Sequence, residues 1–248
     1  MSDAGDDRGR VFLTAEWRWL VMLNYPVEAR VLAPRVPPGT ELDLWEGRPL
    51  VSMVAFRFLR TRLLGVPIPF HRDFDEINLR FYVRRRTADG VRRGVVFVKE
   101  VVPRRAIAWV ARLFYGENYV YAPTRHRLPG LGDGRLEFSW RLAGRWHRLA
   151  ARVDQAAELP SEESEERFVT EHYWGYAARR GGGTTEYRVE HPPWPVYPAL
   201  APELECDVAA LYGPELAPFL EGPPTSAFVA AGSPVTVHWG RRLPPAGG

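Results

Sequence analysis

Cysteine and lysine each occur once in the 248 residues, as Cys206 and Lys99. A single cysteine excludes an intramolecular disulfide framework and a multi-cysteine zinc site, and it suits a reducing compartment. A single lysine against 32 arginines leaves amine-nucleophile chemistry one side-chain candidate besides the N-terminus. Long apolar runs are also missing: none reaches the roughly 18 residues of a membrane span. The N-terminus MSDAGDDRGR is polar and acidic, unlike a signal peptide. These absences point to a cytoplasmic protein without a membrane partner. Charge of one sign is scarce as well, because Lys+Arg 33 and Asp+Glu 30 nearly cancel to +3. The pI of about 9.2 then reflects an arginine bias of the kind a GC-rich genome produces, and nucleic acid is disfavoured as a partner. His71, His126, His147, His172, His191 and His238 show no metal-ligand spacing, and no P-loop, dinucleotide fingerprint or nucleophile elbow is present. No metal and no other cofactor is expected.

What is present is apolar material for a core, 46% of the chain, together with Pro 23 and Gly 22 scattered along it rather than gathered in one tract. That composition implies many turns and short strands, not disorder. It reads as a single β-barrel domain over 11–242 between flexible tails at 1–10 and 243–248. Residues 41–58 form a hairpin around Glu46-Gly47, and Glu76 to Val102 another around Asp89-Gly90. In a third, around Ala143-Gly144, Leu136, Phe138, Trp140 and Leu142 alternate with polar residues, the mark of a strand with one wet face. Further strand-like pieces lie at 168–177, 184–190 and 226–239, and Gly181–Gly183 read as a hairpin tip. PRRAIAWVARLFYG at 103–116 has the stripe and caps of an amphipathic helix, with shorter helical candidates at 26–32, 161–168 and 203–212. Successive hairpins with inserted helices predict a mainly β fold, an antiparallel barrel or strongly bent sheet with a few flanking helices.

The segments RFLRTRLLGVPIPFHRDFDEINLRFYV, GVVFVKEVV, ARLFYGENYVYA and YRVEHPPWPVYPA, with the motif Phe74-x-Glu76-x-Asn78-x-Arg80-x-Tyr82-Val83 and His191-Pro-Pro-Trp-Pro195, resemble a known family. It is the YqjF-like family of uncharacterised bacterial proteins, the domain of unknown function 2071, and the resemblance spans about residues 12 to 240. That family is grouped with the acetoacetate decarboxylase-like superfamily, which implies a cone-shaped antiparallel β-barrel with helices outside. In acetoacetate decarboxylase a lysine forms a Schiff base, a second lysine lowers its pKa, and a wall glutamate assists. The resemblance matches that glutamate to Glu76, but the lysine-bearing turn corresponds to Tyr115-Gly116-Glu117-Asn118-Tyr119, which holds no lysine. Asn and Tyr cannot form an imine, so a lysine-dependent acetoacetate decarboxylase is not expected.

If Asp89-Gly90 is a two-residue turn, Lys99 faces Arg80 and Phe97 faces Tyr82, so Glu76, Asn78, Arg80, Tyr82 and Lys99 share one face opposite an apolar stripe. That polar face points to solvent or into a lumen. In a lumen it makes a pocket for a small, carboxylate-bearing molecule, with Arg80 as a bidentate clamp and Asn78, Tyr82, Lys99, Asn118 and Tyr119 as further contacts. Glu76 is then the candidate catalytic group of an enzyme that acts on a keto acid by acid/base chemistry. Whether any reaction is catalysed stays open. Trp194 and Tyr197 anchor the extended HPPWPVYP segment against the barrel, and a pocket contact for His191 is the alternative. A third reading is an interaction module using the arginine-rich tip Arg84–Arg86, Arg92 and Arg93; self-association through the acidic 154–171 segment is also left open.

Overall fold

The computed structural model describes residues 9–67, 72–103, 118–129 and 133–243. Seven strands pair in a ring: β1 (Val11–Pro26), β3 (Leu50–Leu63), β5 (Phe74–Thr87), β6 (Gly90–Val102), β11 (Trp174–Ala178), β12 (Thr184–Glu190) and β15 (Ser226–His238). Each pairs with the next, and β15 returns to β1, so the sheet closes on itself, with short strands β4 (Val66–Pro67), β7 (Tyr119–Tyr121) and β13 (Val196–Pro198) paired to β3, β6 and β15. All junctions are antiparallel except β6–β11, where Trp174 lies beside Gly94 and Gly175 beside Val95. Closure there depends on missing side chains: a Cβ on Gly94 would sit 2.6 Å from the Tyr176 ring, and one on Gly175 would sit 2.0 Å from that of Tyr187.

A second sheet, β8 (Thr124–Arg127), β9 (Arg135–Leu142), β10 (Arg145–Arg152) and β14 (Leu200–Glu205), packs with helices Val208–Tyr212 and Ala217–Leu220 over the outside of the barrel. The barrel wall therefore carries apolar residues on both faces. Ile77, Leu79, Phe81 and Val83 face this outer core, while Phe74 and Tyr82 join the inner one with Phe56, Phe58 and Val95. The Ala143-Gly144 turn forms as its sequence predicts, with φ of 47° and 81°, values suited to a tight hairpin.

Some elements depart from the pattern-based reading. β1 is the longest strand and lacks an alternating signature, because Trp19 (φ 58°) interrupts it and switches which residues face the lumen. The Glu46-Gly47 turn is present, bridged by Trp45 and Arg48, but the arm preceding it, β2 (Glu41–Leu42), pairs with β5 rather than with β3. Segment 168–177 splits into the end of helix Glu165–Thr170 and strand β11, and 203–212 into β14 and helix Val208–Tyr212. The helix expected at 103–116 falls almost wholly outside the described residues, as do most of both tails. No helix among the described residues is long and apolar enough to cross a membrane.

Candidate functional site

The second hairpin sets the register of the site. Thr87 pairs with Gly90, so its two-residue loop is Ala88-Asp89, one residue earlier than the Asp-Gly signal suggests. Further along, Arg80 pairs with Phe97 but Leu79 pairs with Lys99, leaving Val98 as a bulge. The turn shift moves Lys99 two positions along β5 and keeps its face, and the one-residue bulge then reverses it. Beyond the bulge it is Glu100 that lies opposite Asn78 and turns inward, while Lys99 turns outward, where its Nζ donates to the carbonyl of Leu211 and burial lowers its pKa.

Inside the ring lies a cavity of about 190 Å³. Its wall carries Glu76, Asn78 and Arg80 from β5 and Glu100 from β6, all at least nine-tenths buried. The remainder is largely aromatic: Phe12, Trp17, Phe56, Phe58, Phe74, Phe97, Tyr187 and Trp194. Phe58 and Phe74 stack at 4.6 Å, and Trp17 meets Phe56 and Phe58 edge-on. Such a wall excludes water and strengthens each polar contact made within it.

The polar groups of this wall are incompletely matched. Asn78 Nδ2 donates to Glu76 Oε1 at 3.0 Å, which makes Asn78 Oδ1 an inward acceptor of fixed orientation. Arg80 donates from Nη2 to the Val169 carbonyl at 3.2 Å and contacts the Met22 sulfur, but it has no ion-pair partner among the described residues. Among the described residues, the buried lining atoms Trp17 Nε1, Thr61 Oγ1, Asn78 Oδ1, Arg80 Nε and His172 Nδ1 have no hydrogen-bond partner. Buried polar groups are ordinarily satisfied, so these atoms are the places where the wall has hydrogen-bonding capacity left over.

His172 sits in the wall through a relay from the adjoining strands. Arg93 Nε donates to Asp43 Oδ2 at 2.6 Å, and His172 Nε2 donates to the same oxygen at 3.2 Å. Burial depresses the His172 pKa to about 4, with Asp43 pulling it up against the cations Arg93 and Arg80. Burial works to raise the Asp43 pKa, yet the hydrogen bonds from His172 and Arg93 outweigh it and the net shift is downward. His191, also in the wall, is held at about 4 by burial and stacks on Trp194 at 4.0 Å. Both expectations for its segment therefore apply, since Trp194 is also buried and donates to Ser233 Oγ at 2.8 Å.

Of the residues singled out from sequence, Glu76, Asn78, Arg80 and Tyr119 line the cavity. Three do not. Lys99 lies outside the barrel for the reason given. Asn118 is exposed and its Nδ2 donates to the Val98 carbonyl. Tyr82 shares the inward face but is covered by Phe168 and His172, and its hydroxyl is 2.5 Å from Ser52 Oγ. Ser52 gives its proton to Asn24, Asn24 Nδ2 donates to Ser226, and Ser226 donates to Glu165, so the Tyr82 hydroxyl must donate to Ser52 and is spoken for. Glu100, His172, Thr61 and Trp17 were not anticipated. A Glu100 assignment needed the bulge, Thr61 and Trp17 lie in or beyond strand irregularities, and His172 meets its partner Asp43 across 129 residues.

The arginine-rich tip is ion-paired within the chain but not neutralised. Arg84 and Arg86 pair with Glu41, Arg93 with Asp43, and Arg85 and Arg92 with the fully buried Glu186. Its five arginines share three carboxylates, so the tip keeps a net positive charge with Arg86 largely exposed, and the interaction-module reading stays open.

Comparison with known proteins gives concordant results. The model of the family DUF2071, described as an uncharacterized conserved protein, matches residues 14–234. The uncharacterized protein YqjF of Bacillus subtilis (strain 168) is 29% identical over 180 residues, 72% of each chain. Among solved structures, an acetoacetate decarboxylase from Legionella pneumophila superposes with a TM-score of 0.67 at 12% identity, covering 98% of this chain and 92% of that one. The enduracididine biosynthesis enzyme MppR complexed with pyruvate superposes with a TM-score of 0.68 at 14% identity, covering 98% and 94%. At such identities the structural likeness concerns the fold, a mainly β architecture of the acetoacetate decarboxylase-like type.

Proposed function

The chain belongs to the DUF2071 family of uncharacterized conserved proteins, and from that premise we propose that its barrel binds a small molecule bearing a carboxylate, held by Arg80. The observation that carries this reading is the Arg80 guanidinium, 8% exposed in the cavity wall with no carboxylate paired to it among the described residues. A buried cation without a counter-ion is costly, whereas a planar guanidinium is the side chain best suited to grip a carboxylate in bidentate fashion. The cavity suits a small ligand: an apolar cavity of about 150 Å³ accepts a benzene, and this one is about 190 Å³. Pyruvate, found with a neighbour of the same fold, is a carboxylate of compatible size.

Lysine-dependent decarboxylation is not part of the proposal, because Lys99 lies across the wall from the cavity. A second reading, acid/base chemistry on a keto acid, is favoured by Glu76, a buried carboxyl in the same wall as Arg80. Its test is Glu76→Gln, which should abolish turnover of a bound keto acid while leaving binding intact.

The binding proposal is tested by calorimetric titration with pyruvate and with its neutral amide. The acid should bind and the amide should not, and Arg80→Met should weaken the acid by about 10- to 100-fold. Equal binding of acid and amide, or unchanged affinity in the variant, overturns the assignment.

A further inference from the structure

The unmet acceptors in the wall specify more than a carboxylate. We propose that His172 is the specificity-determining residue of the cavity, its Nδ1 accepting a hydrogen bond from a hydroxyl group of the bound acid, so that the ligand class is hydroxy acids rather than oxo acids. This rests on the carboxylate-binding reading above and deepens it.

The partners of His172 fix its tautomer. Asp43 Oδ2 already accepts from Arg93 and can only accept from the imidazole, so the proton of the neutral ring is on Nε2 and Nδ1 is left a lone-pair acceptor. Nδ1 is buried, has no partner among the described residues and belongs to a residue that lines the cavity. The ring has little freedom to turn elsewhere: Tyr82 lies 4.6 Å from it and Phe168 5.1 Å. Asn78 Oδ1 is a second acceptor in the same condition, its amide oriented by the donation to Glu76. A ketone oxygen is itself an acceptor and satisfies neither atom. A hydroxyl donates to one and leaves no buried lone pair unanswered there.

An ammonium would donate as well, but the electrostatics disfavour it. The charges of Arg80 and Arg93 both act to keep His172 unprotonated, and Arg80 does the same at His191. Beside His172 a second cation meets that repulsion and a hydroxyl does not, but the wall also holds the carboxyls of Glu76 and Glu100, and leucine is among the probes for that reason.

The discriminating experiment compares four probes on one carbon skeleton: 2-hydroxy-4-methylpentanoate, 4-methyl-2-oxopentanoate, leucine and 4-methylpentanoate, titrated calorimetrically into the intact protein. The hydroxy acid should bind at least about tenfold more tightly than the oxo acid. His172→Phe should erase that ratio. Asp43→Asn releases the tautomer without touching the cavity and should shrink the same ratio, which keeps the test sound if His172→Phe fails to fold. Equal affinity, an oxo-acid preference, or a ratio unmoved by both variants overturns the His172 assignment and leaves the carboxylate site standing. Tighter binding of leucine overturns the hydroxyl in favour of an ammonium. If none of the four acids binds, the His172 assignment fails, and the carboxylate reading fails with it only if pyruvate does not bind either.

Discussion

Two buried charges in this protein have opposite roles, and their partners distinguish them. Glu186, fully buried, accepts from Arg85 at 3.2 Å, Arg92 at 2.9 Å, Arg241 at 2.6 Å and the Tyr176 hydroxyl at 3.0 Å. It ties β5, β6, β11 and the C-terminal strand β16 (Arg241–Leu243) to β12. Removing one member of such a buried cluster strands the others, so Glu186→Gln should cost about 3–5 kcal/mol in urea denaturation, while a surface control such as Glu41→Gln, which serves exposed Arg84 and Arg86, should cost less than about 1 kcal/mol. Arg80 has no such cluster. Arg80→Met, which removes an uncompensated charge, should therefore leave the unliganded protein at least as stable as the parent even as it weakens carboxylate binding. A residue that reduces stability in the service of a ligand has this signature.

At the level of elements, the bulge at Val98 decides which chemistry the lumen can hold. Without it the alternation of β6 would run unbroken, and Lys99 rather than Glu100 would sit opposite Asn78. With it the only lysine is directed toward helix Val208–Tyr212, outside the barrel. Incubation with a β-keto acid and borohydride should accordingly leave the mass of the N-terminally blocked protein unchanged. A stoichiometric adduct at Lys99, absent in Lys99→Arg, would contradict this, because arginine retains the charge but not the amine. Polar alternation along β5 was legible in the sequence, and Glu76, Asn78 and Arg80 do share the inward face. The register across the hairpin was not, because a bulge is set by the fit of two strands in a closed ring rather than by either strand alone.

For the whole molecule, the neutral imidazoles at the cavity predict a pH dependence. The His172 pKa falls from an ordinary 6.5 to about 4 through burial. Below pH 6.5 the unfolded chain takes up a proton that the native state refuses, so native stability is complete above that value and declines as pH falls toward 4. Each unit is worth about 1.4 kcal/mol per such histidine, which amounts to about 3 kcal/mol for His172 over the whole window; His191 acts in the same direction. The depressed carboxyl of Asp43 loses its contribution only further into acid. Urea melts at pH 7.5 and 5 should show this loss, and His172→Phe, if it folds, should flatten it. A parent protein equally stable at both values would contradict the burial of neutral His172.

Short-range pattern determined a great deal of this protein by itself. Hairpin turns, the mainly β class, the two-faced character of β5 and the family motif from Phe74 to Val83 are all written within a few residues of one another, where alternation and turn chemistry act directly. Tertiary structure alone decided what those faces meet. Tyr82 has the same parity as Arg80, yet its hydroxyl is consumed by Ser52 in another strand. The wall around Arg80 is drawn from strands and loops that the pattern could not bring together, among them β1, whose alternation Trp19 breaks, and the Arg93–Asp43–His172 relay. The physical reason is that strand periodicity specifies the side on which a residue projects, whereas only closure of the barrel, allowed by glycines at 94 and 175, determines whether that side is solvent, packed core or a cavity with unmet hydrogen bonds.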